Sequence, residues 1–170
     1  MAARICRGYR PGVIGRITEM HASYYARQAG FGIYFEGKVA MELAEFCARL
    51  DRAGNGLWTV VRAGQALGSI AIDAGGDEKG RQAAASAHLR WFILDEAVRG
   101  QGLGRLLLAE ALAHCDAQGV ETVHLWTFSG LDAARHLYES TGFRLVEERP
   151  GTQWGREVAE QRFVRIGRSR

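Results

Sequence analysis

The chain has 170 residues, 47% of them hydrophobic and 24% charged, with a formal net charge of +3. This composition is typical of one globular domain, 1–170, with a buried core, and it excludes a disordered chain. The sequence has no run of about 18 apolar residues and no apolar signal core, so we expect neither a membrane span nor secretion. Three widely spaced cysteines, without the pairing typical of a metal site, favour a cytoplasmic location.

The first third of the chain is predicted to form a short strand and two helices. The strand is expected at residues 5–10. Apolar and aromatic residues then recur at helical spacing over residues 14–25, and Gly30-Phe31-Gly32 ends this helix. A second apolar stripe at helical spacing covers residues 39–50, and Gly54-Asn55-Gly56 stops it.

The middle of the chain is predicted to form three strands. Two of them, at 57–62 and 67–72, form a hairpin through the turn Ala63-Gly64-Gln65-Ala66. A polar, glycine-bearing loop is expected at 73–82. The apolar run at 89–94 is typical of a buried strand.

A glycine-rich turn, Arg99-Gly100-Gln101-Gly102-Leu103-Gly104, joins that strand to a helix predicted at 103–118. Glycines let backbone N–H groups approach a ligand, and the first N–H groups of a helix have no internal acceptor. With Arg99 and Arg105 beside it, the turn predicts a phosphate site. The alternative is that the glycines only permit a tight turn. The turn lacks the Gly-Lys-Ser/Thr of a P-loop, and its context does not match a dinucleotide fingerprint.

The last third is predicted to form a strand at 122–128, a helix to Thr141, and two strands at 143–148 and 158–166. Ser129-x-x-Asp132 resembles a capping arrangement for that helix. The predicted order is β-αα-βββ-α-β-α-ββ. It indicates an α/β (α+β) fold with a mixed, mostly antiparallel sheet flanked by helices.

Two blocks of this sequence resemble the GNAT (GCN5-related N-acetyltransferase) family. Arg99, Gly102 and Gly104 match its Arg/Gln-x-x-Gly-x-Gly/Ala motif between a strand and a helix. Residues 131–143 match its helix that ends in Leu-Tyr-x-x-x-Gly-Phe, although Leu131 stands where the family often has asparagine. The block 129–143 is also similar to GNAT domains that occur fused to MarR-type regulators.

The resemblance implies a GNAT acyl-CoA N-acyltransferase fold and acetyl-CoA as the cofactor. It implies transfer of an acetyl group to a primary amine by direct attack in a ternary complex. The implied CoA-binding residues are Phe92, Ile93, Leu94, Arg99, Gly100, Gln101, Gly102, Leu103, Gly104, Arg105, Ala134 and Tyr138.

Tyr138 matches the family tyrosine near the CoA sulfur, which implies that it donates a proton to the leaving thiolate. A phenol is chemically suited to that task. The alternative is an aromatic side chain that only fills the core. A backbone N–H near Leu94 is expected to face the thioester oxygen.

His88 is a candidate general base, because histidine titrates near neutral pH. The alternative is a strand-end histidine that bonds to the backbone. Glu36 and Glu42 are further candidates, and water alone can also carry the proton. Regular alternation of the strand predicts one shared face: His88, Arg90, Phe92 and Leu94.

The acceptor site is expected near the aromatic N-terminal helices, where Tyr25, Phe31 and Tyr34 either line a pocket for an apolar or aromatic amine or belong to the core. Trp154 is expected to close over a substrate or to pack on the sheet. A small-molecule amine is the favoured partner, and a homodimer stays open. The arginines near the C-terminus favour a solvated strand over nucleic-acid binding. A non-catalytic acyl-CoA-binding or sensing module is the alternative function.

Overall fold

One seven-stranded sheet with helices on both faces organises the chain in a computed structural model, which describes residues 2–75 and 86–167. The strands are β1 (Arg4–Arg7), β2 (Gly56–Arg62), β3 (Gln65–Asp73), β4 (Ser86–Leu94), β5 (Thr122–Phe128), β6 (Arg144–Gly151) and β7 (Val158–Ile166). The helices are α1 (Val13–Ala29), α2 (Ile33–Cys47), α3 (Leu103–Ala117) and α4 (Asp132–Ser140), with a 3₁₀ turn at Glu96–Val98. The predicted order of elements is confirmed. β1 and α2 each end three residues before the predicted position.

A gap between β4 and β5 creates the room for a site. The strand order is β1-β2-β3-β4-β5-β7-β6, and only β4 and β5 run parallel among the neighbouring pairs. They pair only from Ser86 to His88, opposite Thr122 to His124. β5 instead pairs with β7 along its whole length. The C-terminal half of β4 therefore presents an unpaired edge.

A bulge at Trp91 makes the predicted shared face of β4 wrong. Trp91 has a φ of 47°, and the register against β3 shifts between Ser69 and Ala71. Such a bulge inserts one extra residue and reverses the alternation beyond it. The hydroxyl of Ser69 donates to the carbonyl oxygen of Trp91 at 2.7 Å and holds the distortion.

Two cores pack on opposite faces of the sheet, and because of the bulge β4 contributes side chains to both of them. Leu89 belongs to the core under α3 and α4, whereas Trp91 belongs to the core under α1 and α2. Phe92 and Leu94 pack on the α3 side. His88 lies on the opposite face from Leu89, so His88 and Phe92 point to different sides of the sheet.

The predicted cap of α4 is also wrong. Leu131 is the residue before the helix, and no side chain caps it. Ser129 cannot act as the cap because its N–H still extends the β5–β7 ladder, bonding to the carbonyl of Ala159 at 3.0 Å. Gly130, at φ 98°, then turns the chain. Asp132 instead lies in the first helical turn, where its charge complements the dipole.

Parts of two predictions lie outside the described residues. These parts are positions 76–82 of the polar loop, and Arg168 and Arg170 among the arginines near the C-terminus. Asp73, the predicted start of that loop, belongs to β3. Arg165 is buried and donates to both carboxylate oxygens of Asp116 at 3.0 Å, so it does not join a basic surface. Across 2–75 and 86–167, no helix combines the length and the apolar content needed to span a bilayer.

Candidate active site

Two cavities meet where β4 separates from β5. The first, of about 730 Å³, lies between the Arg99–Gly104 turn and α4. The second, of about 550 Å³, lies between α1, α2 and the sheet. Tyr25 and Phe92 line both cavities. The two cavities are therefore direct neighbours.

The N-terminus of α3 opens into the first cavity. Gly102, at φ 75°, precedes the helix, and no side chain caps it. The first intrahelical bond runs from Leu106 N–H to the carbonyl of Gly102. The three preceding N–H groups thus have no helical acceptor and suit an anion. Arg105 adds a cation to the same lining.

α3 packs closely against β4 at Gly104. A Cβ at this position would lie 3.0 Å from Leu94 Cδ1 and 3.7 Å from both Phe92 Cζ and Leu137 Cδ2. Even an alanine at Gly104 would require the Leu94 side chain to shift slightly, and a larger side chain would enter the space between α3 and β4. The site fits a ligand that follows backbone closely from β4 to the helix terminus.

Arg99 is held at the mouth of the first cavity. Its Nε donates to the carbonyl oxygen of Leu94 at 3.1 Å, and its guanidinium lies 4.8 Å from the centre of the Tyr24 ring. The Leu94 carbonyl therefore points away from β3, towards the gap. In an extended strand the N–H of the same residue points the same way.

Asp95 fixes the connection between β4 and the glycine turn. One oxygen accepts the N–H of Ala97 at 3.0 Å, and the other accepts Arg16 Nη2 from α1 at 2.8 Å. The Ala97 N–H and then the Arg16 guanidinium lower the pKa of Asp95. Arg16 also bonds to the carbonyl of Ala66 at 2.9 Å, so α1, β3 and the turn are tied together.

Most of the predicted CoA-binding residues line the first cavity. They are Phe92, Ile93, Leu94, Arg99, Gly100, Gly102, Gly104, Arg105 and Ala134. Gln101 does not line it and instead donates to the carbonyl of Ala97 at 3.2 Å. Leu103 packs against the core, and Tyr138 lines the second cavity. Leu131, where the family often has asparagine, does line the first cavity.

Stacked aromatic rings form one wall of the second cavity. Phe31 lies 6.0 Å from Tyr25 and 6.1 Å from Trp154, in nearly parallel orientations of 24° and 27°. Phe128 from β5 joins them, 5.4 Å from Phe31 and 5.6 Å from Trp154. Tyr25, Phe31 and Trp154 are thus both core residues and cavity lining. Tyr34 is 60% exposed and lines neither cavity.

A chain of alternating charges forms the opposite wall. Glu42 bonds to both Lys38 and Arg90. Arg90 also lies 3.5 Å from Asp73, which accepts two bonds from Arg49 at 2.6 and 2.7 Å. Burial alone would raise the pKa of Asp73, but the Arg49 bond holds it below its usual value. This network connects α2 to β3 and β4.

Tyr138 is almost buried at the junction, 6% exposed. Its ring packs against Phe92 at 6.0 Å, Phe143 at 5.9 Å and Phe163 at 6.2 Å. Burial, followed by the neighbouring Tyr25, raises the pKa of the phenol. The hydroxyl is therefore protonated at neutral pH and can act as a donor.

His88 lies in the second cavity, stacked on His124 with ring centres 4.5 Å apart. Burial, Arg90 and His124 lower the pKa of His88 to about 3. It is therefore neutral at physiological pH and holds a proton weakly. Of the two other candidate bases, Glu42 forms ion pairs with Lys38 and Arg90. Glu36 is exposed and lines neither cavity.

Sequence reasoning missed the charged wall and two aromatic residues of β5, Trp126 and Phe128. A four-residue spacing between Lys38 and Glu42 on a predicted helix was an available signal for the ion pair. The contact of Glu42 with Arg90 joins residues far apart in the chain, and no local pattern predicts it. Trp126 and Phe128 belong to a predicted strand, but the sequence does not show which side chains of that strand face the gap.

The model of the Acetyltransferase (GNAT) family matches residues 17–143, most of this chain. Among curated proteins, an N-acetylaspartate synthetase of Danio rerio is 28% identical over 130 residues. That match covers 76% of this chain and 44% of the relative, so the chain spans less than half of the relative's length.

Solved structures share the fold over nearly the whole chain. A candidate acetyltransferase of Acinetobacter baylyi ADP1 superimposes with a TM-score of 0.77 at 15% identity, covering 97% of this chain and 93% of that one. The candidate acetyltransferase yncA of Salmonella typhimurium, solved with its cofactor acetyl-CoA, gives a TM-score of 0.76 at 19% identity, with coverage of 100% and 96%. At these identities the likeness shows the fold.

Proposed function

Because the chain belongs to the GNAT acetyltransferase family, we propose that it transfers an acetyl group from acetyl-CoA to a primary amine of a small molecule. The transfer takes place in a ternary complex, without a covalent intermediate on the enzyme. One observation carries this proposal: the first and second cavities meet at Tyr25 and Phe92, with the Tyr138 phenol at the junction. Both substrates can then be bound at once with their reacting ends in contact.

The first cavity is the proposed acetyl-CoA site. The free N–H groups at the start of α3 bind the diphosphate, and Arg99 and Arg105 supply positive charge beside it. The unpaired edge of β4 at Leu94 pairs with the pantetheine arm as with a short strand. The yncA structure supports this assignment, because it has this fold and contains acetyl-CoA.

The chemistry follows from the position of Tyr138. A neutral amine attacks the thioester carbonyl, a C–N bond forms, and the C–S bond then breaks. The Leu94 N–H donates to the oxyanion, and the Tyr138 hydroxyl gives its proton to the departing thiolate. The proton that the amine releases returns to the Tyr138 phenolate through water, so the enzyme is restored. The amine's proton leaves through water in the second cavity, because His88 with a pKa of about 3 cannot retain it.

The test is thiol release from acetyl-CoA with a panel of primary amines. We expect CoA and N-acetylated amine to form in equal amounts with at least one amine. Binding of acetyl-CoA without turnover on any amine would instead favour the alternative function, an acyl-CoA sensing module. We also propose a cytoplasmic location, where Cys6, Cys47 and Cys115 stay as free thiols.

A further inference from the structure

We propose that the acceptor is an amine on a flat aromatic body that carries no carboxylate, such as an arylalkylamine. This inference rests on the proposed function and names the substrate class of the second cavity. Two independent features carry it: the aromatic wall and the charges on the wall opposite.

The second cavity is strongly enriched in aromatic residues. The whole chain has 9% Phe, Trp and Tyr, whereas nine of the twenty lining residues are of these types. They are Tyr25, Phe31, Phe35, Trp91, Phe92, Trp126, Phe128, Tyr138 and Trp154. The rings of Tyr25, Phe31 and Trp154 stack on one another in near-parallel orientations, and an aromatic lining of this kind suits an aromatic ligand.

The loop that carries Trp154 is held firmly against this cavity. Glu160, only 3% exposed, accepts the backbone N–H and the side-chain amide of Gln153, both at 2.9 Å. Arg156 bonds across to the carbonyl of Gly30 at 3.2 Å. The position of Trp154 is thus fixed from both sides. Trp154 is therefore a fixed aromatic part of the lining rather than a loosely held side chain.

The charges of the lining disfavour an acidic acceptor. Among the described residues that line the cavity, the cations are Lys38 and Arg90, and Glu42 pairs with both. Glu45 adds a further negative charge. A carboxylate on the acceptor would have to displace an existing ion pair and would face two carboxylates. An amine without a carboxylate leaves these ion pairs intact.

This specificity differs from that in the name of the Danio rerio relative, whose product is an acetylated aspartate. L-Phenylalanine and 2-phenylethylamine test the effect of a carboxylate on the acceptor, because L-phenylalanine is 2-phenylethylamine with one added carboxylate. L-Aspartate and ethylamine complete the panel, the latter as an amine without a ring. Each kcat/KM is divided by the fraction of neutral amine, so that only recognition is compared.

We expect 2-phenylethylamine to exceed ethylamine and L-phenylalanine each by at least about tenfold in kcat/KM. Aspartate or phenylalanine as the best acceptor would overturn the inference and leave the proposed function intact. Turnover that is equal for ethylamine and 2-phenylethylamine would also overturn it. Absence of turnover with every amine would overturn the proposed function itself.

Two variants test the two walls separately. Glu45→Lys should raise kcat/KM for L-phenylalanine about fivefold and lower it for 2-phenylethylamine, whereas the same charge change at Glu110 on the exposed face of α3 should alter neither. Trp154→Ala should raise KM about tenfold for 2-phenylethylamine and leave KM for ethylamine unchanged. Equal changes for both amines would mean that Trp154 only stabilises the fold, and would contradict the proposal.

Discussion

The first and second cavities are built in different ways. The first combines backbone features of residues 92–105, namely glycines, a helix N-terminus and a strand edge, with side chains from α1 and α4. The second is made of side chains that come from α1, α2, β4, β5, α4 and the β6–β7 loop. A backbone site accepts many substitutions outside its glycines, whereas a side-chain site changes its ligand with each substitution. Under the proposed function, the turn and helix N-terminus bind the cofactor, and the side chains of the second cavity select the acceptor.

The largest effect is expected from a substitution that fills the backbone site. Gly104→Val places two methyl groups where a Cβ alone would already lie 3.0 Å from Leu94. Acetyl-CoA affinity should fall by at least about 100-fold, measured by calorimetry. Gly37→Val, in α2 with open space around it, is the matched control and should bind normally. Similar affinities in the two variants would show that the ligand binds elsewhere.

At the junction of the cavities, removing one oxygen atom should separate chemistry from binding. Tyr138→Phe keeps the ring among Phe92, Phe143 and Phe163 but removes the proton donor. We expect kcat to fall about 100-fold while the dissociation constant of acetyl-CoA stays within twofold. The same change at the exposed Tyr9 is the control. Equal kcat in the two proteins would remove Tyr138 from the mechanism.

A fall in pH should affect the second cavity before the first, because histidines line the second cavity and none of the described residues that line the first is a histidine. Burial lowers the pKa of His21 to about 4, and that of His88 to about 3, both from 6.5. The unfolded chain therefore binds protons that the folded chain refuses, and stability falls as pH drops below 6.5. Each histidine should reduce the free energy of unfolding by about 2 kcal/mol between pH 7 and pH 5.

Urea unfolding at pH 7, 6 and 5 measures that decline. His21→Gln should reduce the decline between pH 7 and pH 5 by about 2 kcal/mol, whatever the variant does to stability at pH 7. An equally steep decline in the variant and the parent would contradict a neutral, buried His21.

The smallest effect is expected at the loop behind the acceptor wall. Gly151→Ala places a Cβ in the space that the Glu160 carboxylate occupies, so the carboxylate must shift away from Gln153. KM for the acceptor should rise by a few fold through loosening of Trp154, with KM for acetyl-CoA unchanged. Gly15→Ala, in α1 with no neighbour within 4 Å, is the control. A parallel rise in both KM values would indicate general loosening instead.

The sequence predicts the features that depend on neighbouring residues and misses those that depend on residues far apart in the chain. Element order and the phosphate turn follow from local signals, such as the glycines around position 102 and apolar periodicity in α1 and α2. The bulge at Trp91 has no local signal, because a tryptophan at positive φ is held there by Ser69 from another strand. That single residue reversed the predicted face of His88 relative to Phe92.

The proposed mechanism requires the acetyl group to lie where the two cavities meet. A crystal structure of the acetyl-CoA complex tests it most directly. We predict that the diphosphate contacts the N–H groups at the start of α3 and that the thioester lies between Phe92 and Tyr138, open to the second cavity. Density for the diphosphate away from α3, or for a thioester screened from the aromatic wall, would contradict the claim.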